Sequence, residues 1–587
     1  MPPTLLSGNE AIARGAWEAG VVAGLGYPGT PSTEVLENLV RYEGVRCEWS
    51  PNEKVALEVA AGVSLGGGRS IVTMKHVGLN VAADPLFTLA YTGVGGGLVV
   101  LVADDPGMHS SQNEQDSRYY ALAAMLPVLE PSDSQEALAF AREAFDISER
   151  FDTPVLLRST TRLAHSKGLV EVGERTEHPL RAEEIRPAKW VMMPGNARAR
   201  RREMEGRLQA LRQHAEESGL NAIEMRDESL GVIVSGVVYQ HVREALPEAS
   251  VLKLGMTNPL PEAVVRDFAS RVGRLTVVEE LSPVLATQVR ALGIDVDTPV
   301  GYIGELTPRA IEAAFGREIP PARASIASLP PRPPLLCPGC PHRGVFHALR
   351  EIGAVVTGDI GCYTLGALPP LSALHTCVDM GASVGMAHGL ELVERALPAE
   401  DRRPVVGVIG DSTFAHSGLT GLLNTVYNGG SSTLIILDNR TTAMTGHQGN
   451  PVSGVTLHGD AAPELDLEAV CRALGVDEVI TVNPNRLERV EAAIRVAIAS
   501  EGPSVVVAKA PCVLLKKPTG KPLAVEVARC NACGACIRIA CPAISIGDEA
   551  RAVIDPALCI GCSQCVQVCP ENAIRVGVPA CEAGEAR

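Results

Sequence analysis

The chain has 587 residues, 46% of them apolar, a formal net charge of −16 and only 3% aromatics. Roughly three to five domains fit that length. The acidic balance argues against nucleic acid and anionic membrane surfaces, and no apolar run is long enough to span a bilayer. The first twenty residues lack a basic-then-apolar signal pattern, so a cytoplasmic location is expected. Eight of the sixteen cysteines lie between Cys530 and Cys569, and that clustering points to metal rather than disulfides.

Residues 1–180 alternate helical and strand patterns. An amphipathic segment (Asn9 to Ala19) leads to an apolar run and the turn Tyr27-Pro28-Gly29-Thr30-Pro31-Ser32. Val45 to Trp49, Ser70 to Met74 and Gly97 to Ala103 read as strands, and Glu53 to Leu65 as a helix. The pattern predicts an α/β domain on a parallel sheet. Residues 181–228 predict a charged helical linker; its Arg200, Arg201 and Arg202 read as a solvated face rather than an anion site. Residues 229–318 predict a smaller α/β unit, with Glu279 and Glu280 as surface charge. Residues 319–334 are a Pro-rich linker. A second large α/β domain covers 335–515, and a cysteine-dense segment covers 522–578.

Within 335–515, the apolar run Val405 to Ile409 ends in Gly410-Asp411-Ser412, and the run Thr433 to Leu437 ends in Asp438-Asn439. Open parallel sheets bind ligands at such strand ends. Asp411 and Asn439 offer hard oxygen ligands of the kind Mg²⁺ takes beside phosphate oxygens, and Gly410 lets a backbone approach a diphosphate closely. An ordinary strand–helix turn is the plainer reading of the tripeptide alone. In the tail, Cys530-x2-Cys533-x2-Cys536-x4-Cys541-Pro542 precedes Cys559-x2-Cys562-x2-Cys565-x3-Cys569-Pro570. Two triplets each ending in Cys-Pro are iron–sulfur spacing, whereas zinc sites pair shorter CxxC units. The x4 spacing is one residue longer than usual and predicts a loosened Cys541. Cys581 lies outside the pattern.

Gly410-Asp411-Ser412…Asn439 resembles the GDG…N signature of thiamine diphosphate (ThDP) enzymes, with Ser412 in place of a glycine. The tail resembles a bacterial two-cluster ferredoxin, in which the fourth cysteine of each run serves the other cluster. With Met74-Lys75-His76-Val77-Gly78-Leu79-Asn80, Cys337-Pro338-Gly339-Cys340-Pro341-His342-Arg343 and Asp359-Ile360-Gly361-Cys362-Tyr363, the whole chain resembles the 2-oxoacid:ferredoxin oxidoreductase family, in its indolepyruvate-oxidising branch. That resemblance implies a pyrimidine-binding ThDP-type domain at 1–180, a transketolase C-terminal-like domain at 229–318 and a diphosphate-binding domain at 335–515. The implied fold class is α/β, with two ThDP-type parallel-sheet domains, a smaller α/β domain and a ferredoxin-like tail.

The resemblance assigns roles residue by residue. Glu53, rather than Glu58, would face the cofactor's aminopyrimidine; a dipole-facing helix glutamate is the alternative. Thr30 would lie near the substrate, His76 would reach the active centre against the alternative of a satisfied core histidine, and Arg118 would bind the substrate carboxylate, against the alternative of a structural arginine. Asp411, Asn439 and the Thr441 carbonyl would hold Mg²⁺, with Gly410, Ser412, Gly361, Gly381 and Gly385 around the cofactor. One 4Fe–4S cluster would use Cys530, Cys533, Cys536 and Cys569, and the other Cys559, Cys562, Cys565 and Cys541. Cys337, Cys340, Cys362 and Cys512 match a third cluster, with zinc or free thiols as alternatives. The implied reaction is oxidative decarboxylation of arylpyruvates, with coenzyme A as acyl acceptor, ferredoxin as electron acceptor and a small β subunit as partner in a hetero-oligomer such as (αβ)₂. Other readings are the same chemistry on another 2-oxoacid, a non-oxidative ThDP decarboxylase, and an electron-transfer subunit whose fold has lost ThDP. Whether ThDP lies within one chain or across a dimer stays open.

Overall fold

The computed structural model describes residues 3–178, 180, 186–319, 333–515 and 520–576. Most of the Pro-rich linker, the Lys516–Lys521 linker apart from its last two residues, and Cys581 lie outside them. The chain forms two compact units, Met1–Ser325 and Ile326–Arg587.

The first unit is built on a seven-stranded sheet. Its order is Met256–Asn258, Val128–Leu129, Val155–Thr160, Leu98–Asp104, Ser70–Lys75, Ala23–Gly26, Arg46–Trp49. All neighbours are parallel except the first pair. All seven residues of Leu98–Asp104 are buried. A parallel strand covered on both faces needs such an unbroken apolar run. The helix Glu53–Leu65 starts where the Asn52 side chain accepts from the Val55 amide at 2.9 Å, a cap that contributes about 1 kcal/mol. That cap fixes where Glu53 stands.

A four-stranded sheet, Arg274–Val277, Asp227–Ser235, Ala249–Leu254, Ala222–Glu224, forms the smaller part of this unit. Its chain then lends Met256–Asn258, antiparallel, to the edge of the large sheet. Glu279 and Glu280 are not surface charges: they are 2% and 5% exposed. On the helix Pro194–Glu217, Arg201 and Arg202 are exposed as a solvated face would be, but Arg200 is not. Arg200 is buried and donates to the Tyr91 and Thr92 carbonyls at 2.8 Å each and to Asp152 at 3.0 Å. Arg207 reaches the Ala90 carbonyl and the same Asp152, both at 2.8 Å. These carbonyls close the helix Ala83–Thr92, where cations are favourable.

The second unit carries a six-stranded parallel sheet, ordered Thr376–Cys377, Val355–Gly358, Val405–Gly410, Thr433–Asp438, Ser504–Lys509, Glu478–Val482. Phe346, Val356, Val406, Val408, Ile435 and Val506 pack on one face. Ile409, Phe414, Ile436, Val505 and Val507 pack on the other. Each such side chain contributes roughly 1.5–3 kcal/mol of burial. The tail folds as two antiparallel ribbons, Leu523–Val525 with Ile574–Val576 and Ile544–Ile546 with Ala552–Ile554. Among the described residues no helix is long and apolar enough to cross a membrane.

Candidate functional site

In the second unit, Asp411 and Asn439 stand at the carboxyl ends of adjacent strands. Both are buried, at 2% and 8% exposure. The Asp411 carboxylate accepts the Ser412 amide at 2.6 Å and the Arg440 amide at 2.8 Å. Burial first, then the neighbouring Asp438 carboxylate, push the Asp411 carboxyl up to about 8. A divalent cation facing it would reverse that shift, since a bound cation inverts local pKa logic. The Asn439 amide oxygen accepts from Thr441 at 3.1 Å. A buried carboxylate, an amide oxygen and a backbone carbonyl are a hard-oxygen set that fits Mg²⁺. Ser412, the departure from glycine, accepts from the Thr442 hydroxyl at 2.8 Å and so ties the following loop. A π-helical turn, Phe414–Gly418, follows at once.

Two glycines meet one aromatic ring. A Cβ added at Gly361 would lie 2.3 Å from Tyr363, and one at Gly410 would lie 2.9 Å from it. Gly381 adopts φ +91°, and a Cβ there would sit 2.7 Å from the Ser417 Cβ. Gly385 differs: among the described residues nothing lies within 4 Å of its Cβ position, so no close approach there requires glycine. Asp359 joins the cradle together. It accepts the Gly381 amide at 3.2 Å, the Ser383 hydroxyl at 2.7 Å and the Tyr363 hydroxyl. Burial pushes its carboxyl up to about 7. Sequence reasoning gave Asp359 and Tyr363 no role, because what they hold is distant in the chain.

The cysteines fall into neighbouring groups. Cys530, Cys533, Cys536 and Cys569 line one cavity of about 130 Å³, closed by Val525, Ile537 and Ile574. That cavity brings the last cysteine of the second run to the three of the first. Cys565 has Cys562, Cys541, Cys559 and Cys536 as electrostatic neighbours, so the second run, Cys541 and the first group lie close together. Cys362 has Cys512 and Cys337 beside it, and Cys340 has Cys362 and Cys337. Burial holds the Cys340 and Cys565 thiols up, to about 12 each. Among the described residues no three His, Cys, Asp or Glu side chains converge on one point as ligands of a single ion. A four-iron cube spreads its thiolates over four metals and does not ask for that.

In the first unit, Glu53 is 5% exposed, whereas Glu58 is exposed and paired with Lys54. Gly78 is the close neighbour of Glu53: a Cβ there would meet the Glu53 Oε1 at 2.5 Å. A Cβ at Gly29, beside Thr30, would lie 3.1 Å from the Lys75 Cβ. The fold thus brings both expected motifs to the carboxyl end of one sheet. His76 is buried, and burial, then the Lys75 charge, hold it below its ordinary value as a neutral imidazole. Lys75, quoted within its motif, carried no role in the sequence reading. It is 8% exposed, donates to the Ser110 carbonyl at 2.6 Å, and burial holds it down to about 8.

Arg118 does not stand ready for a substrate carboxylate. It is 2% exposed, with Nε and Nη2 on Asp116 at 2.9 and 2.6 Å, Nη1 on Glu279 at 3.0 Å, and further bonds to the Glu280 and Ser282 carbonyls. Arg158 adds bonds to Asp104 at 2.7 Å and Glu130 at 2.5 Å. Carboxylates outnumber guanidiniums here, and burial pushes Asp104 up to about 6 and Glu280 up to about 7.

Comparison with known proteins agrees with this geometry. Residues 14–226 match the family model described as pyruvate flavodoxin/ferredoxin oxidoreductase, thiamine diP-bdg. Residues 359–508 match the thiamine pyrophosphate enzyme, C-terminal TPP binding domain, and residues 552–575 match the 4Fe-4S binding domain. Curated relatives named indolepyruvate oxidoreductase subunit IorA include those of Methanothermobacter thermautotrophicus (43% identical, over 97% of this chain and 97% of the relative) and Archaeoglobus fulgidus (41%, over 97% and 97%). That of Pyrococcus abyssi is 40% identical over 97% of this chain and 96% of its own. A solved 2-oxoglutarate:ferredoxin oxidoreductase from Magnetococcus marinus aligns at TM-score 0.46 and 17% identity, over 54% of this chain and 65% of that one, a distance at which it carries no weight. On the evidence of the relatives, and of ThDP-binding and iron–sulfur domains in one chain, the protein belongs to the ThDP-dependent 2-oxoacid:ferredoxin oxidoreductase family, among the IorA-type subunits.

Proposed function

We propose that the chain oxidatively decarboxylates arylpyruvates (indole-3-pyruvate, phenylpyruvate and 4-hydroxyphenylpyruvate) with coenzyme A and ferredoxin. The balance is one 2-oxoacid, one thiol and two oxidised ferredoxins giving one acyl-CoA, one CO₂, two reduced ferredoxins and one proton. Bound ThDP would supply the electron sink for the pair left by CO₂ loss. Asp411, Asn439 and the Thr441 carbonyl would hold Mg²⁺, and Glu53, buried against Gly78, would hold a proton at the aminopyrimidine. The small β subunit and an external ferredoxin are the implied partners, in a hetero-oligomer such as (αβ)₂. The three groups of cysteines would hold three four-iron centres, or about twelve irons per chain.

One observation carries the oxidative reading. The Cys512 amide donates to the Asn439 carbonyl at 3.0 Å. A candidate cluster ligand and a candidate magnesium ligand are thus joined by a backbone hydrogen bond, which supports single-electron transfer beginning beside the cofactor. The test is anaerobic copurification with the β subunit, then coenzyme A-dependent acceptor reduction with a panel of 2-oxoacids. Indolepyruvate should exceed pyruvate, 2-oxoglutarate and phenylglyoxylate. Preference for one of those would replace the aryl substrates, and aldehyde release without acceptor reduction would replace the oxidative chemistry.

A further inference from the structure

Arg343 is 1% exposed. Among the described residues no carboxylate pairs with it. Its Nη1 donates to the Ile539 carbonyl at 3.2 Å and to that of Ala540. Its Nη2 donates to the Cys337 carbonyl at 3.0 Å and to that of Leu336. One guanidinium therefore holds the loop of Cys337 and Cys340 on one side and the loop entering Cys541 on the other. Among the described residues the buried Nε has no partner. The groups that act on its charge are cysteine thiols, which would be thiolates as cluster ligands: Cys541, Cys340, Cys562 and Cys337.

A buried cation with neither a counter-charge nor a filled hydrogen-bond complement is costly. Its surroundings say what would complete it. A Cβ at Gly339 would meet the Ile560 side chain at 2.1 Å and the Cys562 Cβ at 3.4 Å, so the two cysteine loops touch through a glycine at φ +71°. Gln564, also 1% exposed, reaches from beside Cys565 to the Cys340 carbonyl at 3.3 Å. Cys565 in turn has Cys536 of the remaining quartet as an electrostatic neighbour. That last quartet includes Cys533, which is exposed.

We infer that Arg343 is the shared counter-charge of two adjoining iron–sulfur centres, one on Cys337, Cys340, Cys362 and Cys512, the other on Cys541, Cys559, Cys562 and Cys565. This rests on the three-centre reading above. Each transfer moves one electron, oxidising one centre and reducing the next, while Arg343 neither gains nor loses one. A centre becomes one charge more negative on reduction, and a fixed cation in a water-poor interior favours that state. The relay would run from the Cys512 centre past Arg343 to the Cys541 centre, then to the exposed Cys533 centre and out to ferredoxin.

The test uses the full chain with its β partner, prepared anaerobically as wild type, Arg343→Gln and Arg343→Lys. Iron is counted, and each centre is titrated by EPR. Arg343→Gln should disfavour reduction of both flanking centres by about tenfold, or ~59 mV for one electron, and leave the Cys533 centre unmoved. Arg343→Lys keeps the charge and should stay within threefold of wild type. Unmoved potentials in Arg343→Gln, a lysine variant shifted as far as glutamine, or iron lost from both variants would overturn the inference. Iron lost from glutamine alone, with wild-type potentials in lysine, supports it. About eight irons in the wild type would remove the third centre instead, and the Cys541 centre would still report on Arg343.

Discussion

Glu53 and Glu58 stand five residues apart on one helix, and burial separates them. Glu58 is half exposed against Lys54, where an ion pair adds little. Glu53 is enclosed by Gly78. Glu53→Gln should lower kcat at least 100-fold while ThDP still binds, whereas Glu58→Gln should change kcat less than twofold; steady-state kinetics with a cofactor titration decide. Gly78→Ala should also cost tenfold or more, because its new methyl would displace the carboxylate. Glu280 makes a different expectation. Its folded value lies near 7, above the ordinary 4.5, through burial. The folded state therefore binds the extra proton, and stability is lost as pH rises from about 4.5 towards 7. Glu280→Gln keeps an acceptor for the Leu306 amide and should flatten that loss, by up to about 3 kcal/mol at pH 8 in denaturant melts.

At the level of elements, spacing was the readable quantity. The helix Glu53–Leu65, the strand ending at Gly410 and the cysteine triplets each carry a local period or a local turn, so single residues could be named. Arg118 could not be read that way. Its partner Glu279 is 161 positions distant, and a guanidinium placed for a substrate looks the same in sequence as one placed for a carboxylate. The x4 interval before Cys541 shows a contact that spacing does not carry. Ala540, in that interval, takes φ +59°, and its carbonyl is held by Arg343, which ties that point of the interval to the Cys337 loop. The helix Pro194–Glu217 looked solvated because its apolar positions are few; Arg200 and Arg207 attach it instead through Asp152. Arg200→Ala leaves two helix-ending carbonyls and Asp152 short of a donor. It should destabilise the first unit by about 3 kcal/mol, seen as a lower midpoint of its first unfolding transition.

For the molecule as a whole, two ThDP-type sheets and a cluster tail were legible because each has its own motif. The division into six segments was less so, because contacts and not composition decide it. The strand Met256–Asn258 shows why. It leaves the smaller sheet's part of the chain and closes the border of the larger one beside Val128–Leu129. A piece cut after residue 180 would lack it. Val128–Leu129 would then offer open amides and carbonyls to any passing copy, an invitation to strand-by-strand self-association. Such a piece should sediment as heavy, heterogeneous particles, while residues 1–319 should stay dispersed at the same concentration. The smaller sheet's segment is in this sense a built-in chaperone for the cofactor-binding one.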